Sequence, residues 1–242
     1  MDLTKYIDEN IKCIHSAEVV IRDYVDNVKS ISSDYKLAIP GSKTGKEIIE
    51  KTVEVDAFKI SRVLVTNELY AFVLGNNCDL SDKYKPVTDV SWYDAILFCN
   101  LLSDKIGLEK YYVIAGKTVE RNSSSKGFRL PTDEEWQLAA QAGVQKYRYG
   151  NIDDICWYEN NSDGSKHEVA QKAENSFGLF DMLGNVWEWC WDIYDAERYG
   201  DYRVFRGGSW ASDERSCGST VRRKSMPDLR IDDLGFRIAQ NV

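Results

Sequence analysis

Histidine and proline are scarce in this sequence, which has two histidines and four prolines among 242 residues. His15 and His167 are too few for a histidine-based metal triad and give little support to a Ser-His-Asp site. No Cys-x-x-Cys pair occurs among the six cysteines, so a structural zinc site is not predicted. Cysteines this sparse also argue against a disulfide scaffold.

Long apolar runs and an excess of basic residues are missing as well. No segment approaches the roughly 20 apolar residues of a membrane-spanning helix. The N-terminus, which reads MDLTKYIDENIK, carries charges where a signal peptide needs an apolar core. The net charge of −8 argues against binding to a nucleic-acid backbone. We therefore expect a cytoplasmic protein with no membrane span and no nucleic-acid partner.

Tryptophan is abundant, and all seven tryptophans lie from Trp92 onward. Trp187, Trp189 and Trp191 occur at every second position, so they share one face of an extended segment. Glu188 lies between them and faces the opposite way. The C-terminal part of the chain is therefore predicted to be held together by tryptophan packing.

The Glu188 carboxylate needs a partner, because an unpaired charge on such a strand is costly to bury. Gly184 and Asn185, which precede it, predict a tight turn. Two interpretations remain open from the residues alone. Glu188 either helps to bind a cation beside this turn, or it accepts hydrogen bonds from backbone amides or from an arginine such as Arg206.

Apolar spacing at the N-terminus predicts one long amphipathic helix over residues 4–31. The apolar positions run from Ile7 to Val28 in steps of three and four, interrupted by Glu18. Such a helix either packs on its own domain or docks a partner or a second copy of the chain. Oligomerisation through this segment is therefore one of the predictions.

Shorter elements are predicted from capping residues and from alternating patterns. The predicted helices are Asn67–Leu74 after Thr66, Trp92–Ile106 after Ser91, and the helix from the capping box at Thr132 to Ala142. The predicted strands are residues 53–58 and a hairpin of residues 110–114 and 117–120. From residue 144 onward we expect loops and short strands with almost no helix.

Several ordered blocks of the sequence resemble the formylglycine-generating enzyme family, also called sulfatase-modifying factor domains. The blocks are FKI at 58–60, PVTDVSWYDA at 86–95, GFRLPTDEEW at 127–136, FGLFDMLGNVWEW at 177–189, RGGSW at 206–210 and LGFR at 234–237. This resemblance implies an α+β fold, the family's variant of the C-type lectin fold, with little regular secondary structure. It places a domain at residues 36–242 and leaves residues 1–35 outside as a helix and linker.

The resemblance implies a cysteine requirement for oxidase activity that this sequence does not meet. Family members that convert a sulfatase cysteine to formylglycine use two cysteines five positions apart, and two thiolates suit Cu(I). Ser212 stands at the first position and Cys217 at the second. Copper is therefore not predicted, and Cys217 is a degenerate catalytic candidate. The alternative is a divergent oxidase in which Cys217 acts with another thiol, Cys190 or Cys156, or with a partner's metal.

The resemblance also implies a calcium site beside the predicted turn. Asp181 and Glu188 would contribute carboxylate oxygens, and Gly184 and Val186 would contribute backbone carbonyls. Such hard oxygen ligands suit Ca²⁺. Calcium at these four residues is therefore the predicted cofactor.

The C-terminal loop, residues 210–233, is the predicted ligand-binding surface. It carries many charges of both signs, and in binding proteins of the family the equivalent region forms the ligand face. We predict a non-catalytic module that binds a protein or small ligand there; the alternative is a solvated loop with internal salt bridges. The predicted binding residues are Trp210, Asp213, Glu214, Arg215, Arg223, Asp228, Arg230 and Asp233.

Overall fold

The structure is a computed structural model that describes residues 1–25 and 47–242, with side chains for residues 1–21 and 50–242. Its helices are α1 (Leu3–Asn10), α2 (Asn67–Leu74), α3 (Trp92–Lys105), α4 (Asp133–Gln141), α5 (Ile152–Ile155) and α6 (Ala196–Tyr199). Its first strands are β1 (Ile11–Ile14), β2 (Ala17–Val25), β3 (Glu47–Val55), β4 (Phe58–Ser61), β5 (Tyr112–Ala115), β6 (Thr118–Arg121) and β7 (Phe128–Arg129). The remaining strands are β8 (Trp187–Ile193), β9 (Arg203–Arg206), β10 (Arg222–Ser225), β11 (Leu234–Gly235) and β12 (Ala239–Asn241).

These strands form two four-stranded sheets and two separate hairpins within the described part of the chain. The first sheet has the order β1-β4-β12-β7, and the second has the order β10-β9-β8-β11. The hairpins are β2–β3 and β5–β6. Strand β11 runs parallel to β8, whereas β9 runs antiparallel to both β8 and β10. The chain passes directly from β11 in the second sheet to β12 in the first, so the two sheets are neighbours.

The N-terminal segment differs from its prediction. The predicted helix over residues 4–31 is wrong for residues 11–25, because the chain there continues as β1 and β2. Val19 and Ile21 are buried at every second position, as a strand requires, and β-branched side chains favour this conformation. Residues 26–31 and the predicted boundary after residue 35 lie outside the described residues.

The short helix α1 packs on its own domain. Leu3, Tyr6 and Ile7 contact the buried cluster that surrounds α3. Strand β1 then pairs antiparallel with β4, so this segment extends the first sheet. Of the two interpretations offered for the N-terminal helix, the observed contacts favour packing within the molecule.

The other predicted elements are confirmed with small shifts at their ends. Helices α2, α3 and α4 begin after Thr66, Ser91 and Thr132, and each of these side chains accepts a hydrogen bond from the first turn of its helix. The predicted strand over residues 53–58 is instead two strands, since β3 ends at Val55 and β4 begins at Phe58. After residue 144 the described helices are single turns.

Tryptophan side chains fasten β8 to α3 and to the loop before it. The indole N–H of Trp92 donates to the carbonyl of Cys190 at 3.0 Å, and that of Trp189 donates to the carbonyl of Val90 at 3.0 Å. Both rings are fully buried. Each ring combines a large buried apolar surface with a hydrogen-bonded N–H group. The two rings therefore fix the position of β8 relative to α3 and to the loop before it.

The N-terminus of α4 is fixed by buried charges from the second sheet. Arg206 binds Asp133, and the Arg222 Nε atom lies 2.7 Å from Asp133 Oδ2. Burial alone would raise the pKa of Asp133, but the two guanidinium groups outweigh it and hold this pKa below its usual value. Arg206 is therefore already paired and is not the arginine partner of Glu188 that the sequence suggested.

A second carboxylate, Asp192, accepts a hydrogen bond from the Asp133 amide at 2.6 Å. Burial, followed by the nearby charges of Asp133 and Glu134, raises its pKa from 3.8 to about 7. Between these two values the folded protein holds a proton that the unfolded chain has released. The contribution of Asp192 to stability is therefore lost as the pH rises through this window.

We expect the Asp192→Asn variant to lose this pH dependence. Its free energy of unfolding should fall less than that of the parent between about pH 5 and about pH 8, because the amide does not titrate. Urea denaturation across this range measures the difference. Asp201→Asn, which removes an exposed carboxylate from the same segment, controls for net charge. Equal slopes for the parent and Asp192→Asn would contradict the prediction.

No helix among the described residues combines the length and the apolar character needed to cross a membrane. The predicted cytoplasmic location stays a prediction.

Candidate functional site

A cavity of about 430 Å³ lies where β8, β9 and the loop after β9 meet. One wall is aromatic. The rings of Trp187 and Phe205 meet edge to face, with centroids 5.3 Å apart and an interplanar angle of 82°. Ala211 and Ile231 extend this wall with aliphatic surface. Such a lining suits an apolar group of a ligand.

The remaining lining of the cavity is polar and charged. It is formed by Ser212, Asp213, Ser216 and Arg223. The Arg223 guanidinium lies 6.0 Å from the centroid of the Trp187 ring and donates to Ser216 Oγ at 3.4 Å. A cation and a carboxylate therefore flank the aromatic wall, and together they can orient a polar group beside an apolar one.

The Asp213 carboxylate also has a structural role. Its Oδ1 atom accepts the Ser216 amide at 2.9 Å and so caps the 3₁₀ turn Glu214–Ser216. This turn holds Ser212 and Ser216 at the cavity. The loop is thus ordered by its own hydrogen bonds.

Ser212 belongs to a chain of hydroxyl hydrogen bonds. The Ser209 hydroxyl donates to Asp233 Oδ2 at 2.7 Å, so the Ser212 hydroxyl, 3.0 Å from Ser209 Oγ, donates to Ser209. The Ser209 amide in turn donates to Ser212 Oγ at 3.0 Å. Burial raises the pKa of Asp233, and the hydrogen bond from Ser209 opposes this rise. The serine at position 212 is thereby integrated into the loop.

Cys217 lies beneath this loop, beside a second buried thiol. A hydrogen bond with Cys217, together with burial, raises the pKa of Cys156 well above its usual value. Cys190 points elsewhere, since its sulfur lies 4.0 Å from the carbonyl oxygen of Glu188. Cys156, one of the two thiols named in the sequence analysis, is therefore the neighbour of Cys217. The raised pKa keeps it protonated, which disfavours both nucleophilic attack and metal binding.

Two glycines make room for the two sulfur atoms. Gly184 and Gly208 have φ angles of 76° and 85°, which favour glycine. A Cβ atom on Gly184 would overlap the Cys156 sulfur, and one on Gly208 would overlap the Cys217 sulfur. The turn at 184–185 predicted from the sequence thus has a packing role against Cys156.

The predicted ligand-binding residues divide into two groups. Asp213 and Arg223 line the cavity, and Asp233 supports it through Ser209. The others do not line this cavity. They are Glu214, which pairs with Arg148 at 2.9 Å; Asp228, which pairs with Lys117 at 2.9 Å; Arg230, which bonds Asp94 at 2.9 Å; Arg215, whose carbonyl binds the Tyr147 hydroxyl; and Trp210, whose carbonyl accepts from Ser162 at 2.9 Å.

Six residues of the cavity were not singled out as ligand contacts from the sequence. They are Trp187, Phe205, Ala211, Ser212, Ser216 and Ile231. Trp187 did carry a signal, because its alternation with Trp189 and Trp191 placed it on a common face. That face was assigned to packing. Phe205 and Ile231 carry no local signal, since only the pairing of distant segments brings them together.

The Glu188 carboxylate is fully buried and is held by Arg237. Arg237 donates to it twice, from Nε at 2.6 Å and from Nη2 at 2.9 Å. Burial raises the pKa of Glu188, and the charge and hydrogen bonds of Arg237 oppose this rise. Of the two interpretations offered for Glu188, the arginine partner is therefore present in the structure, although it is Arg237 and not Arg206.

The two carboxylates among the four residues predicted to bind calcium already have hydrogen-bond partners in this structure. Both carboxylate oxygens of Glu188 are engaged by Arg237, and Asp181 accepts the Ala170 amide at 2.8 Å. The described residues contain no group of three or more His, Cys, Asp or Glu side chains able to hold a metal. The carbonyls of Gly184 and Val186 remain as oxygen donors. Calcium binding stays a prediction.

We expect Arg237→Met to lower the free energy of unfolding by about 3–5 kcal/mol, because it leaves a buried carboxylate without its counter-charge. Lys5→Met, which breaks an exposed pair with Glu9, is the matched control and should cost about 0–1 kcal/mol. Urea denaturation with EDTA and again with calcium measures both effects. A loss below about 1 kcal/mol would contradict the role of Arg237. Recovery of stability with calcium alone would instead favour the calcium site.

Comparison with known proteins finds similarity to one family along nearly the whole chain. A family model described as "Sulfatase-modifying factor enzyme 1-like domain" matches residues 33–242. "Chaperone protein LppX" of Paenibacillus barcinonensis is 32% identical over 255 aligned residues, which cover 88% of this chain and 91% of that protein. "Inactive C-alpha-formylglycine-generating enzyme 2" of Bos taurus is 33% identical over 177 residues, which cover 65% of this chain but only 50% of that protein.

A solved structure is similar to this chain over nearly its whole length. "Treponema denticola variable protein 1" superposes with a TM-score of 0.76 at 32% identity, covering 96% of this chain and 95% of that chain. The predicted α+β fold, the C-type-lectin-like fold of this group of proteins, is therefore confirmed.

Proposed function

Because this chain belongs to the family of sulfatase-modifying factor enzyme 1-like domains, we propose that it uses the family scaffold as a non-catalytic module that binds a protein or small ligand. The names of two relatives support a role without catalysis. One is called inactive and the other a chaperone. These names describe the relatives, and their extension to this chain is part of the proposal.

The observation that carries the proposal is the cavity between the aromatic and the charged wall. Trp187 and Phe205 offer apolar surface, and Arg223 and Asp213 offer opposite charges beside it. We propose that the bound group combines an apolar part, which rests on the aromatic wall, with a polar or charged part that meets Arg223. A side chain and the adjoining backbone of a peptide have this combination.

The proposed binding site is more restricted than the loop surface inferred from the sequence. Asp228 and Arg230 are engaged with Lys117 and Asp94, so their charges serve the attachment of the loop. Exposed pairs of this kind contribute little stability, about 0–1 kcal/mol each. We therefore assign recognition to the cavity side of the loop.

Peptides selected from a displayed random library on the full chain provide the test. We expect Arg223→Ala to weaken the selected peptides about tenfold, equal to about 1.4 kcal/mol, because their polar part loses its cation. Arg230→Ala removes an arginine from the same loop outside the cavity and is the matched control. Titration calorimetry measures both affinities. Equal effects of the two variants would contradict the proposed location, and a library that yields no binder would contradict peptide recognition.

The second candidate function is a divergent oxidase, and the observation that favours it is the contact between Cys156 and Cys217. Against it stand the hydroxyl of Ser212 and the burial of both thiols. Two thiolates with an exposed approach would be needed for soft-metal chemistry.

Metal titration separates the two functions. We expect Cu(I) to bind the parent and the Cys217→Ser variant with the same affinity, because Cys217 is not part of a metal site in the binding module. We also expect no oxidation of a Cys-x-Pro-x-Arg peptide. Competition with a Cu(I) chelator and mass spectrometry of the peptide are the two measurements. Tight Cu(I) binding that disappears in both Cys156→Ser and Cys217→Ser would favour the oxidase.

A further inference from the structure

Two tyrosines flank a lysine on the far side of the second sheet from the cavity, and a third tyrosine stacks on one of them. The Lys224 ammonium nitrogen lies 4.2 Å from the centroid of the Tyr194 ring and 4.4 Å from that of Tyr199. The Tyr194 and Tyr199 rings meet edge to face at 5.8 Å, with an interplanar angle of 70°. Tyr202 stacks on Tyr199 at 5.9 Å. We call Tyr194, Tyr199 and Tyr202 the tyrosine cage.

The arrangement follows from the second sheet. The tyrosines lie at the start, middle and end of the connection between β8 and β9, which folds back over β10 through helix α6. Lys224 is opposite Val204 in the register of β10 and β9. Since side chains alternate along a strand, Lys224 faces the cage while Arg223 faces Trp187 and the cavity.

The charges around the cage are of both signs. Residues 192–202 read DIYDAERYGDY, which holds three exposed carboxylates, Asp195, Glu197 and Asp201. Arg198 lies 5.3 Å from the centroid of the Tyr199 ring, and Arg222, which is paired with Asp133, lies 4.9 Å from that of Tyr194. Two aromatic faces directed at one point, within an acidic segment, are the features that proteins use to hold quaternary ammonium groups. The position of Lys224 shows that the cage accommodates a positive charge between its rings.

We propose that the tyrosine cage binds a methylated or quaternary ammonium group and that Lys224 is its resident competitor. A primary ammonium is compact and strongly hydrated, so it gains little from leaving water for aromatic faces. A quaternary ammonium has no N–H group, so it gives up no hydrogen bonds to water when it moves between the rings. It also presents methyl groups to the rings. Lys224 is half-buried on β10, an edge strand, and its long side chain can return its charge to solvent. The incoming group therefore displaces Lys224.

This site is distinct from the cavity of the proposed function. The cage and the cavity lie on opposite faces of β10, and no residue belongs to both. Binding at one can be measured while the other is altered, so the two proposals succeed or fail separately.

The test uses choline as the probe, with the alcohol in which carbon replaces the choline nitrogen as a neutral control. Ring signals of the tyrosines in NMR spectra of the full chain report binding. We expect choline to shift the signals of Tyr194 and Tyr199, and we expect the neutral alcohol to leave them unchanged. Equal shifts with both compounds, or no shift with choline, would overturn the proposal.

Lys224→Ala provides a gain-of-binding test that a merely damaged protein would not pass. Removing a tethered competitor should tighten choline binding by about threefold or more. Tyr199→Leu should abolish the response of Tyr194 to choline. Tyr84→Leu is the matched control, since Tyr84 is an exposed tyrosine with a lysine nitrogen 4.4 Å from its ring and, among the described residues, no second ring beside that nitrogen. It should leave the cage response unchanged.

Thermal unfolding of each variant separates loss of the site from loss of the fold. Unchanged or weaker choline binding in a folded Lys224→Ala protein would overturn the role of Lys224 as competitor. A response in Tyr199→Leu equal to that of the parent would overturn the cage itself.

Discussion

The two sheets of this molecule are joined at a buried ion pair, Glu188 with Arg237. Arg237 lies between β11 of the second sheet and β12 of the first, and it also donates to the carbonyls of Ser61 and Phe180 at 3.0 Å each. Its partner Glu188 lies on β8. A charged pair without water is stable only if every donor and acceptor is satisfied. The position of β8 relative to the first sheet is therefore strongly constrained.

The geometry of the candidate site depends on the position of β8 that this ion pair fixes. With Glu188 directed inward, the neighbouring Trp187 is directed to the other face, where it meets Phe205 and forms the aromatic wall of the cavity. The loop that supplies the polar wall is attached separately, by Arg148, Lys117 and Asp94 at its periphery. The aromatic wall is therefore set by the sheet, whereas the polar wall is set by a loop with its own attachments.

Local chemistry made the helices predictable. Thr66, Ser91 and Thr132 signalled the starts of three helices, because a side-chain cap is decided by neighbouring residues. The N-terminal helix was predicted to be too long, because its end is decided by distant residues and not by neighbouring ones. Ile11, Ile14 and Ile21 fit a helical spacing, whereas Val19 and Ile21 fit an alternating one, and pairing with distant strands decides between them. The partner of Glu188 was also missed, because Arg237 lies 49 positions further along the chain. For Cys217 the sequence offered Cys190 and Cys156 as possible neighbours but could not choose between them, because only the fold brings Cys156 beside it.

Strand β10 ends the second sheet with Arg222, Arg223 and Lys224 in succession. Each of them lies over an aromatic ring, so their stems cover the strand on both faces. An open strand edge is a template for pairing between molecules, and lysines and charges there prevent it. A second molecule that approached this edge with its own β10 would bring basic side chains against basic side chains. This repulsion disfavours growth of the sheet from one molecule to the next.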